Sequence, residues 1–223
     1  MACNWSAENA TNAFLKTLKM VKEQGQRSSK EPESAEFISA LAAGNNSQLI
    51  VVASATPTAT TSFMLSALVT AAHQTGGRVV CIHRTQHETE LSRRALGSRS
   101  RKVGFVTGEA HELLSSSAQY SGADFVLIDC HLDNHEGILG AVQQQAGSNQ
   151  NGAVVVGYNA FGSGSWGSDG RWRTQLLPIG EGLLVTRMAP PARNKSRWVV
   201  KVDKCTGEEH VFRIRSPQGK IEA

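Results

Sequence analysis

The chain has 223 residues, of which 40% are hydrophobic and 19% are charged, and its net charge is +4. This composition excludes a wholly disordered chain and predicts an ordinary globular protein. No apolar run approaches the roughly 20 residues that a membrane-spanning helix needs, and residues 1–20 contain no apolar signal core, so we expect an intracellular, cytoplasmic protein without membrane insertion.

The N-terminal part predicts two helices joined by a polar connection. Ser6 can cap a first helix in which apolar residues recur at helical spacing through residues 10–21. Residues 25–34 are polar, contain a glycine and a proline, and predict a flexible connection. Ser34 can cap a second, shorter helix that ends at Gly44. We therefore expect an N-terminal helical extension over residues 1–34, followed by the main domain over residues 35–223.

From Gln48 onward, short β-rich apolar runs alternate with helical segments. This alternation is typical of βαβ units and predicts an α/β fold with a mostly parallel sheet. The predicted strands are residues 49–54, 78–83, 102–107, 124–130 and 153–159. Four helices are predicted between these strands. The first ends at Gly76 and Gly77, and the other three cover residues 88–96, 109–117 and 136–146.

The pattern changes after Tyr158. A glycine- and serine-rich segment, residues 161–172, predicts a mobile loop. Residues 176–188 and 197–215 then indicate strands, and the turn at Thr206 and Gly207 predicts that the second run is an antiparallel hairpin. Residues 171–223 contain eleven Lys or Arg and five Asp or Glu. This excess of positive charge permits a nucleic-acid partner, although basic residues on exposed strand faces are the commoner cause of such an excess. The basic residues considered for such a contact are Arg193, Lys195, Arg197, Lys201, Arg213 and Arg215.

Ligands of open parallel sheets bind outside the carboxyl ends of the strands, so the residues that follow each predicted strand are the first candidates. Residues 55–57 follow strand one and read Ala-Thr-Pro, where a dinucleotide site would have a glycine-rich turn. The hydroxyl groups of Thr58, Thr60 and Thr61 could hydrogen-bond a ligand, and Ser54 is a further candidate. For Thr58 the alternative is a helix N-cap, which its position also fits.

Strand two ends in His83, where a sheet that binds a ribose usually carries Asp or Glu. A neutral imidazole accepts only one hydrogen bond, so His83 is a weaker candidate for the ribose, and the alternative is a surface histidine at a strand end. His83 and His87 are four residues apart, but without a third ligand this spacing is a weak metal signal.

Strands three and four also lead into polar residues. Glu109 and Ala110 lie at a strand-to-helix junction, where a carboxylate can complement the helix dipole or accept from an exocyclic amine. After strand four, five potential metal ligands fall within seven residues, and this density permits a divalent cation, although helix capping and turn formation explain such loops more often. These five are Asp129, His131, Asp133, Asn134 and His135.

Other catalytic templates are not found. The P-loop, the H-E-x-x-H motif and the G-x-S-x-G elbow are absent, so we expect neither a hydrolase nor a nucleotide triphosphatase. The four cysteines lie far apart without a C-x-x-C pair, which argues against a disulfide framework or a thiolate zinc site, and we expect reduced, mostly buried thiols.

Six segments together resemble a plant family of uncharacterised proteins that is grouped with the S-adenosylmethionine-dependent methyltransferase superfamily. They are SAEN at 6–9, AEFISALAAG at 35–44, TATTSFML at 58–65, TGGRVVCI at 75–82, VTGEAHELL at 106–114 and DFVLID at 124–129. The resemblance implies a Rossmann-like class I methyltransferase fold, in which a seven-stranded sheet has five parallel strands and a C-terminal antiparallel hairpin.

The resemblance also implies site residues. Glu109 and Ala110 match the pair beside the adenine of S-adenosylmethionine, and Asp129 matches the acidic residue after strand four. The chain departs from the superfamily at the glycine-rich loop (residues 55–57), at Val52, where an acidic residue is common, and at His83, which replaces the ribose-binding acid.

The chain also departs from the related cation-dependent plant O-methyltransferases. These have D-A-D after strand four and Asp-Asn after strand five. Here the corresponding residues are Asp129, Cys130 and His131, followed by Tyr158 and Asn159, so one carboxylate of the metal set is missing and no metal site is expected.

These observations lead to a methyltransferase-like protein that transfers a methyl group from S-adenosylmethionine to a small molecule through a degenerate cofactor site. The alternative is a non-catalytic binding or scaffold protein with the same fold, and a further alternative is nucleic-acid association. The candidate catalytic residue is Asp129, and the candidate cofactor-binding residues are Ser54, Thr58, His83, Glu109 and Ala110.

Overall fold

The computed structural model describes residues 5–23, 34–116, 119–120, 122–146, 152–162, 173–188, 197–202 and 209–214. Contacts group the chain into two compact units, Met1–Pro190 and Pro191–Ala223. Most of the predicted connection at residues 25–34 lies outside the described residues, so the proposed boundary at residue 34 stays a prediction.

The two predicted N-terminal helices are confirmed. Helix α1 spans Ala7–Glu23 and α2 spans Ser34–Gly44. Helix α1 buries one face at spacings of three and four residues, and on this face the Thr17 hydroxyl donates to the Ser39 hydroxyl of α2 at 3.0 Å. Helix α1 is therefore packed against α2.

The first unit is built on a seven-stranded sheet with the strand order β3-β2-β1-β4-β5-β7-β6. Strands β1 to β5 pair in parallel, whereas β7 runs antiparallel to β5 and to β6. The strands are β1 Leu49–Ala53, β2 Arg78–His83, β3 Val103–Thr107, β4 Phe125–Asp129, β5 Ala153–Tyr158, β6 Thr174–Leu177 and β7 Leu183–Met188.

Helices cover both faces of this sheet, which explains why its central strands are nearly continuous apolar runs. Ile50 and Val52 of β1 belong to the cluster under α2 and α3, whereas Val51 and Ala53 belong to the cluster under α5 and α6. The remaining helices are α3 Ala59–Thr75, α4 Gln86–Leu96, α5 Ala110–Ser116 and α6 His135–Ala146, with 3-10 turns at Gly97–Lys102 and Ala160–Gly162. The predicted α/β fold is confirmed.

One strand prediction is wrong at the C-terminal end of the sheet. The run at 176–188 is divided between the end of β6, which begins at Thr174, and the whole of β7, because the backbone turns between them at Gly180 and Gly182, whose φ angles are 56° and 85°. These two strands supply the antiparallel part of the seven-stranded sheet.

The predicted hairpin at 197–215 does form, but it is a separate two-stranded sheet of the second unit. Its strands are β8 Arg197–Val202 and β9 Glu209–Ile214. The predicted turn at Thr206 and Gly207, and the six basic side chains considered for nucleic acid, lie outside what the structure describes.

Cys81 and Cys130 are buried, as predicted for these two residues. Among the described residues, no helix has both the length and the apolar character needed to cross a bilayer. Of the predicted mobile loop at 161–172, residues 163–172 lie outside the described part of the chain.

Candidate functional site

The strand order places a crevice at the carboxyl end of β1. From β1 the chain adds β2 and β3 on one side, and it then returns to add β4 and β5 on the other side, so the strand order reverses at β1. In open α/β sheets ligands bind at such a switch point. The predicted site residues therefore converge on one edge of the molecule, although they do not all face the same space.

A small, open cleft with a cavity volume of about 20 Å³ lies beside this crevice. Its lining combines apolar side chains with a polar rim of hydrogen-bond donors and acceptors, which is the usual composition of a small-molecule site. The cleft is lined by Ala53, Ser54, Ile82, Arg84, Gly108, Glu109, Ala110, His111, Leu132, Asp133, Asn134 and Ile138. Three of the predicted cofactor-binding residues, Ser54, Glu109 and Ala110, are among them.

A charged side chain that the sequence analysis did not single out lies at the rim. Arg84 Nε donates to Glu109 Oε1 at 3.3 Å, and Arg84 Nη1 lies 3.8 Å from Asp133 Oδ2. The side chains of Arg84 and Glu109 are about half exposed, whereas that of Asp133 is 94% exposed. The ion pair with Glu109 is therefore the closer of the two, and Asp133 makes only a long, solvent-exposed contact.

The side chain of His83 lies on the face of strand β2 opposite the one that carries Arg84, and it is fully buried. Its Nε2 is 2.7 Å from the Ser92 hydroxyl, and its ring stacks on Phe105 at 6.3 Å. Burial lowers the pKa of His83, and the nearby Glu88 carboxylate opposes this shift. The alternative of a surface histidine is wrong, and the imidazole does not line the cleft.

The alternation of side chains along β2 explains why Arg84 and not His83 reaches the cleft. Cys81 belongs to the core cluster under α3, and Ile82 belongs to the opposite cluster. His83 continues the side of Cys81, and Arg84 continues the side of Ile82. This period of two, visible in the sequence, was the signal that could have identified Arg84.

Thr58 is the N-cap of α3, and its hydroxyl accepts from the Thr61 backbone N–H at 3.1 Å. The capping alternative is confirmed. The hydroxyl of Thr58 is occupied in this role, and Thr58 does not line the cleft. The cofactor-binding role of Thr58, like that of His83, stays a prediction that this geometry does not favour.

Asp129 lies at the end of β4 and is almost fully buried. Its Oδ2 accepts from the Tyr158 hydroxyl at 3.0 Å and from the Ala55 N–H at 3.4 Å. Its Oδ1 accepts from the Asn159 side-chain amide at 3.0 Å and from the His131 N–H at 3.1 Å. We call these five residues the Asp129 network. The carboxylate thereby connects the ends of β1, β4 and β5.

The Asp129 network does not fit the metal set of the cation-dependent O-methyltransferases. Burial and the charge of Asp129 raise the pKa of Tyr158, so the phenol stays protonated and donates to the carboxylate. The Asn159 side chain also presents its amide N–H groups to Asp129. Within the described ranges, no group of three His, Cys, Asp or Glu residues is arranged to hold a metal ion.

His131 is the exposed member of the Asp129 network. Its Nδ1 lies 3.6 Å from Asp129 Oδ1 and 3.4 Å from Asn159 Nδ2, and its side chain is 64% exposed. Asn159 has a φ angle of 60°, a conformation that few residues other than glycine adopt. The backbone at the end of β5 is thus held in an unusual conformation that brings the amide of Asn159 to Asp129.

A family model described as "Protein of unknown function (DUF1442)" matches residues 1–214. No curated protein matches the chain. Among solved structures, a methyltransferase from Geobacter sulfurreducens is 17% identical, with a TM-score of 0.54 over 79% of this chain and 88% of that one.

Two further solved structures are similar to this chain. An SAH-bound methyltransferase from Podospora anserina is 14% identical, with a TM-score of 0.56 over 82% of this chain and 89% of that one. The O-methyltransferase TomG from Streptomyces achromogenes, solved in complex with SAM, is 14% identical, with a TM-score of 0.52 over 79% and 89%. At these identities the similarity shows a shared fold, and the predicted methyltransferase-like fold is confirmed.

Proposed function

The chain belongs to the DUF1442 family of proteins of unknown function, and we propose that it is a methyltransferase-like protein that binds S-adenosylmethionine in the cleft beside Glu109 and transfers its methyl group to a small molecule. The observation that carries this proposal is that Ser54, Glu109 and Ala110 line one cleft at the switch point of the sheet. Relatives of this fold were solved with SAH or with SAM.

The residues of the cleft suit the adenosyl part of this cofactor. The buried side chains of Ile82, Leu132 and Ile138 form the apolar floor of the cleft, and Glu109 at the rim can accept from the exocyclic amine of the adenine. Ala110 is the first residue of helix α5 and lines the cleft. Because its side chain is a single methyl group, it leaves room for the adenine to approach the backbone. When bound, S-adenosylmethionine supplies an electrophilic methyl group on a sulfonium centre.

On the acceptor side, the chain contributes positioning more than strong acid-base groups. Asp129 is nearly buried and accepts four hydrogen bonds from the protein, so we assign it an indirect role in which it holds Asn159 and His131 in place. Methyl transfer depends mainly on proximity and orientation, which such a rigid frame supports. The catalytic role predicted for Asp129 is therefore proposed as a positioning role.

Affinity for the cofactor should be low. The ribose-binding carboxylate is replaced by the buried His83, and Pro57 in the first turn removes a backbone N–H. We expect a dissociation constant above roughly 10 μM, because the loss of a charge-assisted hydrogen-bond pair lowers affinity about tenfold or more.

Calorimetry with S-adenosylhomocysteine and S-adenosylmethionine tests the proposal. Glu109→Gln should weaken binding by roughly tenfold, since it removes a charged acceptor for the adenine amine. Glu112→Gln, in the first turn of α5, is the matched control because Glu112 is exposed and does not line the cleft. The absence of binding at millimolar ligand, or equal effects of the two variants, would contradict the proposal.

A second candidate function is a non-catalytic binding or scaffold protein. It is favoured by the ion pairs of Arg84, because they cross the rim of the cleft that a cofactor has to enter. Formation of S-adenosylhomocysteine from S-adenosylmethionine in the presence of hydroxyl acceptors separates the two candidates: turnover supports the enzyme, and ligand binding without turnover supports the scaffold.

A further inference from the structure

One of the two ion pairs of Arg84, the one with Asp133, crosses over strand β1. Arg84 follows β2 and Glu109 follows β3, which is the neighbour of β2, whereas Asp133 lies in the loop after β4 on the far side of β1. The contact between Arg84 and Asp133 therefore spans the carboxyl end of β1, at the switch point. Both side chains therefore border the cleft that a ligand of the crevice would occupy.

The two partners of Arg84 are held to different degrees. Glu109 accepts from Nε at 3.3 Å and is half exposed, so it fixes the plane of the guanidinium at the rim of the cleft. Asp133 lies at 3.8 Å from Nη1 and is 94% exposed, so a solvated carboxylate with many alternative positions occupies that donor. A ligand oxygen can replace Asp133 on Nη1 while Glu109 keeps Arg84 in place.

Charge decides which oxygen fits. Arg84, Glu109 and Asp133 together carry one excess negative charge, which disfavours a phosphate at this position. A ribose hydroxyl suits it, because a hydroxyl oxygen accepts from the guanidinium and its proton can be donated to a carboxylate. The rim thus offers a ribose diol both a donor, the guanidinium, and an acceptor, a carboxylate. A single carboxylate at the end of β2 would offer acceptors only.

We propose that Arg84 is the ribose-binding residue of the cleft and that Asp133 competes with the ribose for its guanidinium. This inference rests on the proposed function, because it assumes that an adenosyl ligand enters the cleft. It assigns to Arg84 the role that the sequence suggested for His83, and it makes Arg84 a donor where a carboxylate would be an acceptor.

The test is calorimetry with S-adenosylhomocysteine on two variants whose effects have opposite signs. Arg84→Ala should weaken binding roughly tenfold or more, because it removes charge-assisted donors to the ribose. Asp133→Asn should strengthen binding about two- to fivefold, because it weakens a competing exposed ion pair. Glu90→Gln, which alters the ion pairs of Arg93 and Arg94 on α4, should change affinity less than about twofold.

Salt gives an independent measurement. Raising the ionic strength from about 0.05 to about 0.5 M screens the exposed contact between Arg84 and Asp133, so binding to the unaltered protein should strengthen, and this dependence should be absent in Asp133→Asn. Denaturation midpoints close to that of the unaltered protein would show that both variants are folded.

The possible outcomes separate the two proposals. If both variants strengthen binding, Arg84 is only an obstacle to entry, and if both weaken it, the three residues act as a structural unit; either result overturns the inference and leaves the proposed function standing. If S-adenosylhomocysteine binds to neither the unaltered protein nor Asp133→Asn, the cleft is not an adenosyl site and both proposals fail.

Discussion

The Asp129 network and the rim of the cleft lie at the same edge of one sheet, yet their physical characters differ. In the network a nearly buried carboxylate accepts four protein hydrogen bonds between 3.0 and 3.4 Å. At the rim, Arg84, Glu109 and Asp133 are at least about half exposed and share long ion pairs. The buried groups have no capacity left for a ligand, whereas the exposed groups can exchange partners at small cost.

This difference shows that polar residues at a candidate site divide into those that hold the site together and those that contact a ligand. Burial of hydrogen-bonded groups makes the first kind costly to remove, and solvation makes the second kind nearly neutral for stability. Measurements of stability and of ligand affinity should therefore respond to different residues. Three predictions concern stability.

The largest effect is expected for Asp129→Ala. The substitution leaves the Tyr158 hydroxyl and the Asn159 amide without their acceptor in a buried environment. We expect a loss of about 3 kcal/mol in the free energy of unfolding, measured with urea. Asp133→Ala is the control and should change stability by less than about 0.5 kcal/mol. Similar losses in the two variants would remove the distinction between the network and the rim.

A smaller effect is expected for Tyr158→Phe. The change removes one buried donor to Asp129 and retains the ring, so the loss should be about 1 to 2 kcal/mol. The matched control is Tyr120→Phe, which removes the hydroxyl of the other tyrosine in the chain. A loss no larger than that of the control would show that the phenol does not support the Asp129 carboxylate.

The third prediction concerns pH and the buried His83. Because burial lowers its pKa in the folded state, the unfolded protein binds more protons as the pH falls, and folding loses stability. The contribution of His83 is complete above its unfolded pKa of about 6.5 and should fall by at most about 1.4 kcal/mol per pH unit below it.

Urea denaturation at several values between about pH 8 and pH 5.5 measures this dependence. His83→Gln should flatten the curve, whereas His87→Gln should not, because His87 is exposed. An unchanged slope in His83→Gln would show that another group titrates in this range. The same experiment extends the comparison to the opposite face of β2, where the Ser92 hydroxyl of α4 lies 2.7 Å from His83 Nε2.

The sequence alone indicated the alternation of strands and helices through β5 and the polar residues that follow each strand. Apolar runs such as LIVVA and periodic helices report directly on burial, because each element must cover its own apolar face. The same local signals identified Thr58 as a possible cap and placed Glu109 and Ala110 at a junction.

Local patterns did not determine how side chains from distant parts of the chain meet. The apolar run at 176–188 predicted one continuous strand, because the turn at Gly180 and Gly182 interrupts that run by only a few residues. An antiparallel edge was expected from residues 176–188 and 197–215 together, but only β6 and β7 join the seven-stranded sheet, since hairpin signals do not state which sheet a hairpin joins.

The tertiary structure also decided which polar residues of the site support the fold and which are exposed to a ligand, for a similar reason. Whether His83 or Arg84 faces the ligand depends on which face of β2 the helices α5 and α6 cover, and whether Asp129 is free depends on Tyr158 and Asn159, some 30 residues away. The sequence determined that these groups lie at the ends of parallel strands. Only the packing of the strands decided which of them are buried and bonded and which remain free to bind a ligand.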